Sequence, residues 1–259
     1  WIGNSHLMEN EGLSVKKIQT QGWSWEDLTK LEQRPGPICI GNYSVKGFLP
    51  QLLSVYSSST EANGKRVLDF INYINGPLPQ PLDYEADMLQ RFLSGKTLFL
   101  AGVRPIVYDF IKRKAIEGKI PWTPTLLPVP SEKPGRIILP LESGVIGIYR
   151  NKRSKGDDQL AAAARLAHYI CVYPQTTPWE RLMVIPAVPS LAEKWSENLG
   201  EGYYDHLTDW LSRGVIVNIK AGQKYQAEVY PSFKNYLRGK TSRQDMEIII
   251  NQSYFGSEE

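Results

Sequence analysis

Short apolar runs alternate with amphipathic stretches along this chain. Ile38-Cys39-Ile40 and Thr97-Leu98-Phe99-Leu100-Ala101 are apolar without a polar face, the pattern of strands covered on both sides. Between them, apolar residues recur at helical spacing and predict helices from Trp25 to about Gln33, Phe48 to Tyr56, Arg66 to Ile74, Asp83 to Leu93 and Ile106 to Glu117. Gly3 to Leu13 reads as a short helix ended by Gly12, followed by a loop. Ser24 has the chemistry of an N-cap, with Asp27 three residues on. Prolines limit Thr125 to Pro130 to an edge strand or a strand end, and Ile137 to Leu141 and Gly144 to Tyr149 are further apolar runs. After Arg150 the pattern turns helical. Asp158 to Tyr173 puts Leu160, Ala164, Ala167 and Cys171 on one face, and Leu191 to Leu199, Tyr204 to Ser212 and Ser232 to Leu237 follow. A last helix starts at Ser242, with Thr241 and Gln244 as its capping box. Strands alternating with helices, then a helical finish, predict an α/β protein.

Composition narrows the class. The chain has 259 residues, 42% apolar and 22% charged, enough to bury a core. Thirty Lys and Arg against 27 Asp and Glu leave a net charge of +3, too weak to argue for a nucleic-acid surface. No apolar run of about 18 residues predicts a membrane-spanning helix. Cys39 and Cys171 each sit in an apolar run and read as two buried thiols.

The catalytic motifs are absent or incomplete. His6, His168 and His206 have no metal-ligand spacing. Gly95-Lys96-Thr97 and Gly239-Lys240-Thr241 match the tail of a phosphate loop, but the required upstream glycine is Gln90 in one and Lys234 in the other. Ser14-Val15-Lys16-Lys17 matches S-x-x-K without its companion motifs, and no G-x-S-x-G occurs. Asn42-Tyr43-Ser44 and Asn251-Gln252-Ser253 match the glycosylation triplet, which is too common to weigh. The expectation is a protein that is not an enzyme, with no cofactor and no metal.

Several phrases, read in order, resemble those of extracellular solute-binding proteins of family 1. They are Asn4-Ser5-His6-Leu7-Met8 with Gly12-Leu13, Trp25-Glu26-Asp27-Leu28, and Phe92-Leu93-Ser94-Gly95-Lys96-Thr97-Leu98-Phe99-Leu100-Ala101-Gly102. Thr125 to Pro130, Gly144 to Tyr149 with the helix at Leu160 to Tyr173, Ile185-Pro186-Ala187-Val188-Pro189-Ser190, and Leu237-Arg238-Gly239-Lys240-Thr241 to Ile250 continue the series. The resemblance implies a type II periplasmic-binding-protein-like α/β fold, two lobes joined by a hinge. In the family the first phrase follows a substantial N-terminal segment, whereas here Trp1 stands just before it, so the first lobe is expected to be incomplete. Residues 1–143 would form the second-lobe body, 144–199 a returning first-lobe segment, and 200–259 C-terminal helices returning to the second lobe.

The resemblance further implies a sugar-like solute, an ABC transporter permease as partner, and an extracytoplasmic location, periplasmic or as a cell-surface lipoprotein whose membrane contact is an upstream lipid anchor. Loops beyond strand ends are where open α/β sheets bind ligands. Sugars need aromatic faces for their CH groups and polar groups for their hydroxyls. Tyr43, Phe48 and Tyr230 are the aromatic candidates, and Lys46, Arg104 and Glu142 the polar ones. Each has a plainer reading: Phe48 as a helix start, Tyr43 as a turn residue, Arg104 as a solvated charge before Pro105, Glu142 as a hinge ion-pair partner. Many sugar binders of the family carry Trp where Arg104 stands, which points toward an anionic or highly hydroxylated ligand. Trp122, Trp179, Trp195 and Trp210 read as packing residues. The competing reading is a degenerate solute-binding-like domain that acts as an extracytoplasmic sensor or interaction module.

Overall fold

The computed structural model describes residues 1–29, 31, 38–39, 49–50, 52–53, 64–75, 85–102, 105–131, 135–141, 148, 157–172, 205–218 and 225–255. The chain divides into two compact units, Trp1–Leu141 with Asp209–Glu259, and Glu142–Thr208.

The first unit is built on a four-stranded sheet. Its strands are β1 (Ile2–Asn4), β2 (Ile38–Cys39), β3 (Phe99–Leu100) and β4 (Pro124–Leu126), in the order β2-β3-β1-β4. β1 runs antiparallel to both neighbours, pairing Ile2 with Leu100 and with Leu126. β2 runs parallel to β3, pairing Ile38 with Phe99 and Cys39 with Leu100. Phe99, Leu100 and Ile2 are all buried. Successive residues of a strand face opposite sides, so both faces of this sheet are covered, as the unbroken apolar runs predict. β4 lies at the edge, where the loss of a ladder donor at Pro124 is tolerated.

The opening helix of the sequence reading is corrected at its start. Ile2 to Asn4 is a strand, and α1 covers only Ser5–Asn10, with the Asn4 side chain accepting from the Leu7 amide at 3.1 Å. Three residues are too few to show a period of two, and pairing on both sides decides their conformation. Gly3 permits this: a Cβ there would lie 2.5 Å from the Met8 sulfur and 2.8 Å from Leu127 Cδ1.

The loop expected next is helix α2 (Val15–Gln21), capped by the Ser14 hydroxyl, which accepts from the Lys17 amide at 3.3 Å. The S-x-x-K match is thus a helix start. Gly22 ends the helix at φ +74°, and its Cα hydrogen occupies a place where a Cβ would meet the Arg136 carbonyl oxygen at 1.9 Å. The expected cap at Ser24 is present: its amide and hydroxyl both donate to Asp27 at 2.9 Å, opening α3 (Trp25–Thr29).

Three more helices belong with the sheet. α4 spans Gly64–Asn75, α5 Glu85–Leu93 and α6 Pro105–Ile116. α5 packs on β2 and β3, and α6 on β4. Residues 49–50 and 52–53, within the predicted Phe48 to Tyr56 helix, are helical, with Leu49, Leu52 and Leu53 buried. Ile138–Leu141 is β5, joined to the segment after β4 by an antiparallel bridge between Val129 and Ile138.

In the second unit the described helix is α7 (Asp157–Val172). Two acidic residues open it and five alanines fill it, so propensity and the helix dipole favour it without tertiary help. Through Cys171 its residues are exposed, apart from half-buried Ala163 and Ala167. The buried thiol expected at Cys171 is corrected: that cysteine is exposed, because its apolar neighbours belong to a helix that no described packing covers. The burial of Cys39 lies outside the described residues.

The chain re-enters the first unit through α8 (Asp205–Arg213). Trp210 is buried there and donates to the Gln19 carbonyl at 2.7 Å, while Arg213 donates to the Thr20 carbonyl at 2.7 Å. The predicted, largely helical finish is interrupted. Val215–Asn218 is β6, parallel to β5, and Tyr225–Val229 and Asn251–Phe255 are π-helical turns around α9 (Tyr230–Leu237) and α10 (Arg243–Ile250). The cap of α10 sits one residue later than Thr241: Ser242 accepts from the Asp245 amide at 3.1 Å and donates to its carboxylate at 2.6 Å. The Gly144 to Tyr149 run, apart from Ile148, and the Leu191 to Leu199 helix lie outside the described residues.

The C-terminal helices clamp α4. Asn251 Oδ1 accepts from the Gly64 amide at 2.7 Å, capping α4 from a distant part of the chain. Tyr236 donates to Asn72 at 2.7 Å, and Arg243 pairs with Asp69, which Lys65 also approaches at 3.1 Å. Partial burial pushes the Asp69 carboxyl up, but hydrogen bonds and charge from Arg243 and Lys65 outweigh it and hold the group below its ordinary range.

Candidate functional site

The parallel register of β2 and β3 sets the geometry. Cys39 and Leu100 are paired, so β2 and β3 end at the same edge of the sheet as neighbouring strands. β1 starts at this edge and β4 ends there, since Ile2 pairs with Leu100 on one side and Leu126 on the other. Carboxyl ends of adjacent parallel strands form the crevice where α/β sheets take ligands.

An aromatic group lies beside this edge. The half-buried ring of Trp1 stands edge-on to Trp23 at 5.7 Å and tilted to Trp25 and Phe99 at 6.3 Å each. Trp23 lies 5.1 Å from Phe99, and Trp25 lies 3.9 Å from Phe70 of α4. The buried indole of Trp23 donates to the Pro128 carbonyl at 2.8 Å, which fixes the segment after β4 against the chain entering α3. Trp1 is therefore placed at the edge where β2 and β3 end. Sequence reasoning passed over it, because the residues that follow were read as helix; the apolar pair Trp1-Ile2 before Gly3 was the available signal.

The candidate residues divide as follows. Tyr43, Lys46 and Phe48 follow β2, and Arg104 follows β3; all four lie outside the described residues. Glu142 follows β5 and also lies outside them. Tyr230 is described: it opens α9, half-buried against the core, with the Tyr225 ring at 6.4 Å and the Lys234 ammonium 5.5 Å from its ring centre. That setting is one of packing, with one ring face committed to a cation. Trp122 and Trp210 are buried, as packing residues should be, with Trp122 edge-on to Phe92 at 5.0 Å. Trp179 and Trp195 lie outside the described residues.

The Asn251-Gln252-Ser253 triplet has an internal use. Its Asn caps α4, and its Ser donates to Glu228 at 2.7 Å, tying the two π-helical turns together. Among the described residues no three His, Cys, Asp or Glu side chains gather as a metal site, and no described helix is long and apolar enough to cross a membrane. No family model, curated protein or solved structure matches the chain.

Proposed function

We propose that this chain binds a small polar solute, sugar-like or anionic, at the carboxyl edge of β2 and β3, as the extracytoplasmic solute-binding component of an ABC importer with a type II periplasmic-binding-protein-like fold. The observation that carries this reading is the parallel Cys39–Leu100 register, which sets the carboxyl ends of β2 and β3 side by side. On this reading Tyr43 and Phe48 supply faces for CH groups, while Lys46 and Arg104 hydrogen-bond hydroxyl or carboxylate oxygens. The division of the chain supports it too: a unit of residues 142–208 leaves at the end of β5 and returns through α8, the connectivity a two-lobed binder requires. Closure on solute by such a binder follows contacts made only in the closed form. The permease partner and the lipid anchor belong to the same proposal.

Calorimetric titration with a panel of sugars, polyols and organic acids tests it. One solute class should bind, and Arg104→Ala should weaken that binding by about ten-fold or more, the usual loss for a charge-assisted hydrogen bond. A panel in which nothing binds would overturn the proposal in favour of a sensor or interaction module.

A further inference from the structure

We propose that α7 pairs with α7 of a second copy of this chain, antiparallel and centred on Ala163. From Asp157 to Cys171 every residue of this helix is exposed except Ala163 and Ala167, which are half-buried. With 3.6 residues per turn, Gln159, Leu160, Leu166 and Ala167 all lie within about 60° of the direction of Ala163, so the five share one side. On that side Leu160 is 49% exposed and Leu166 59%. Asp157, Asp158, Arg165 and His168 fall well away from it. α7 is thus an amphipathic helix whose apolar side meets solvent, the arrangement that marks an interaction surface.

The order of residues along this side is complementary to itself. Leu160 and Leu166 stand equally far before and after Ala163, one on each flank of the side. A two-fold axis at Ala163 lays Leu160 of one copy against Ala163 and Ala167 of the other, and Leu166 against Ala163 and the stem of Gln159. Large side chains therefore meet small ones in both directions, as an isologous interface requires. An unrelated partner would have to supply this complement, whereas a second copy already carries it.

Charge sets the direction of the pair. Asp157 and Asp158 open the helix, and Arg165 and His168 follow in its second half. Among the described residues none of the four takes part in an ion pair. An antiparallel pair sets the acidic end of each copy alongside the cationic half of the other and opposes the two helix dipoles, while a parallel pair sets acid beside acid. The same mixture of signs disfavours a lipid surface, for which the polar side of a helix is rich in cations. The contact is small for a protein interface, so the dimer is weak and forms at high concentration. Because α7 is helical without a partner, pairing and unfolding are measured separately.

Sedimentation equilibrium of the full chain over a concentration series tests this. A monomer that converts to a dimer as concentration rises is expected. Leu160→Ala with Leu166→Ala should weaken association about 100-fold, since four leucines are lost per dimer, and should leave circular dichroism of the dilute chain unchanged. Cross-linking reads the register. In a Cys171→Ser background under mild oxidation, Ala163→Cys at the two-fold axis should form a disulfide-linked dimer at least about ten times faster than Ala161→Cys on the opposite side of the helix. A chain that stays monomeric at every concentration, a dimer that the leucine variant leaves intact, or equal cross-linking at the two positions would overturn the proposal. Leucine-dependent binding to phosphatidylcholine or phosphatidylglycerol vesicles without self-association would overturn it as well.

Discussion

Helices α4 and α7 hold their shape by opposite means. α4 has Gly at its first position and β-branched and aromatic residues in its body (Val67, Phe70, Ile71), so its intrinsic preference is modest. Val67, Leu68, Phe70 and Ile71 are buried, Phe70 rests on Trp25, and Asn251, Tyr236 and Arg243 each fasten the helix from the C-terminal region. α7 is longer, alanine-rich and acid-led, and it exposes Leu160, Leu166, Tyr169 and Ile170. The first is a helix because of what packs on it; the second is a helix because of its own backbone and side-chain preferences. The strength of a helical signal in sequence therefore says little about how far that helix supports the fold.

Substitutions should separate the two. Phe70→Ala removes a buried ring in contact with Trp25 and should cost about 3–5 kcal/mol, read from the denaturant midpoint by tryptophan fluorescence. A loss below about 1 kcal/mol would break the contrast, because α4 would then not depend on its packed face. Asn251→Ala removes the cap supplied to Gly64 and should cost about 1 kcal/mol. Asn251→Asp, which keeps an acceptor at the helix N-terminus, should recover most of that loss, whereas a purely steric role for Asn251 predicts no recovery. The smallest effect is expected in α7: Leu166→Ala, at a side chain 59% exposed, should stay within about 0.5 kcal/mol and leave far-ultraviolet circular dichroism unchanged. A large loss there would mean that α7 is covered after all.

The same distinction explains which parts of the molecule are legible in one dimension. β2 and β3 were visible as unbroken apolar runs, and in β3 the burial of both Phe99 and Leu100, on opposite faces, is the physical cause of that pattern. The cap at Ser24 was visible because its chemistry is local. β1 and β6 were not visible: β1 is three residues long, β6 is an apolar run directly after a helix, and pairing across the sheet decides both. The two π-helical turns leave no periodic trace in so few residues, and the cap from Asn251 to Gly64 joins positions that no window compares. At the candidate edge, β2 and β3 were each legible in the sequence, but the adjacency of their ends follows from a parallel register that sequence spacing does not encode. Trp1 was overlooked for a related reason: it reaches that edge just ahead of a strand whose partners lie about a hundred residues away.

By itself, the amino-acid sequence determined where apolar runs, helical spacings and local caps lie, because these are consequences of backbone geometry over a few residues. Tertiary structure alone decided that Ile2–Asn4 is a central strand, that the end of β2 stands beside the end of β3, that α4 is capped from the C-terminal region, and that Leu160, Leu166, Tyr169 and Ile170 of α7 are exposed. The reason is the same each time. Sequence pattern reports which surfaces favour leaving water, and only the folded chain assigns each of them a partner.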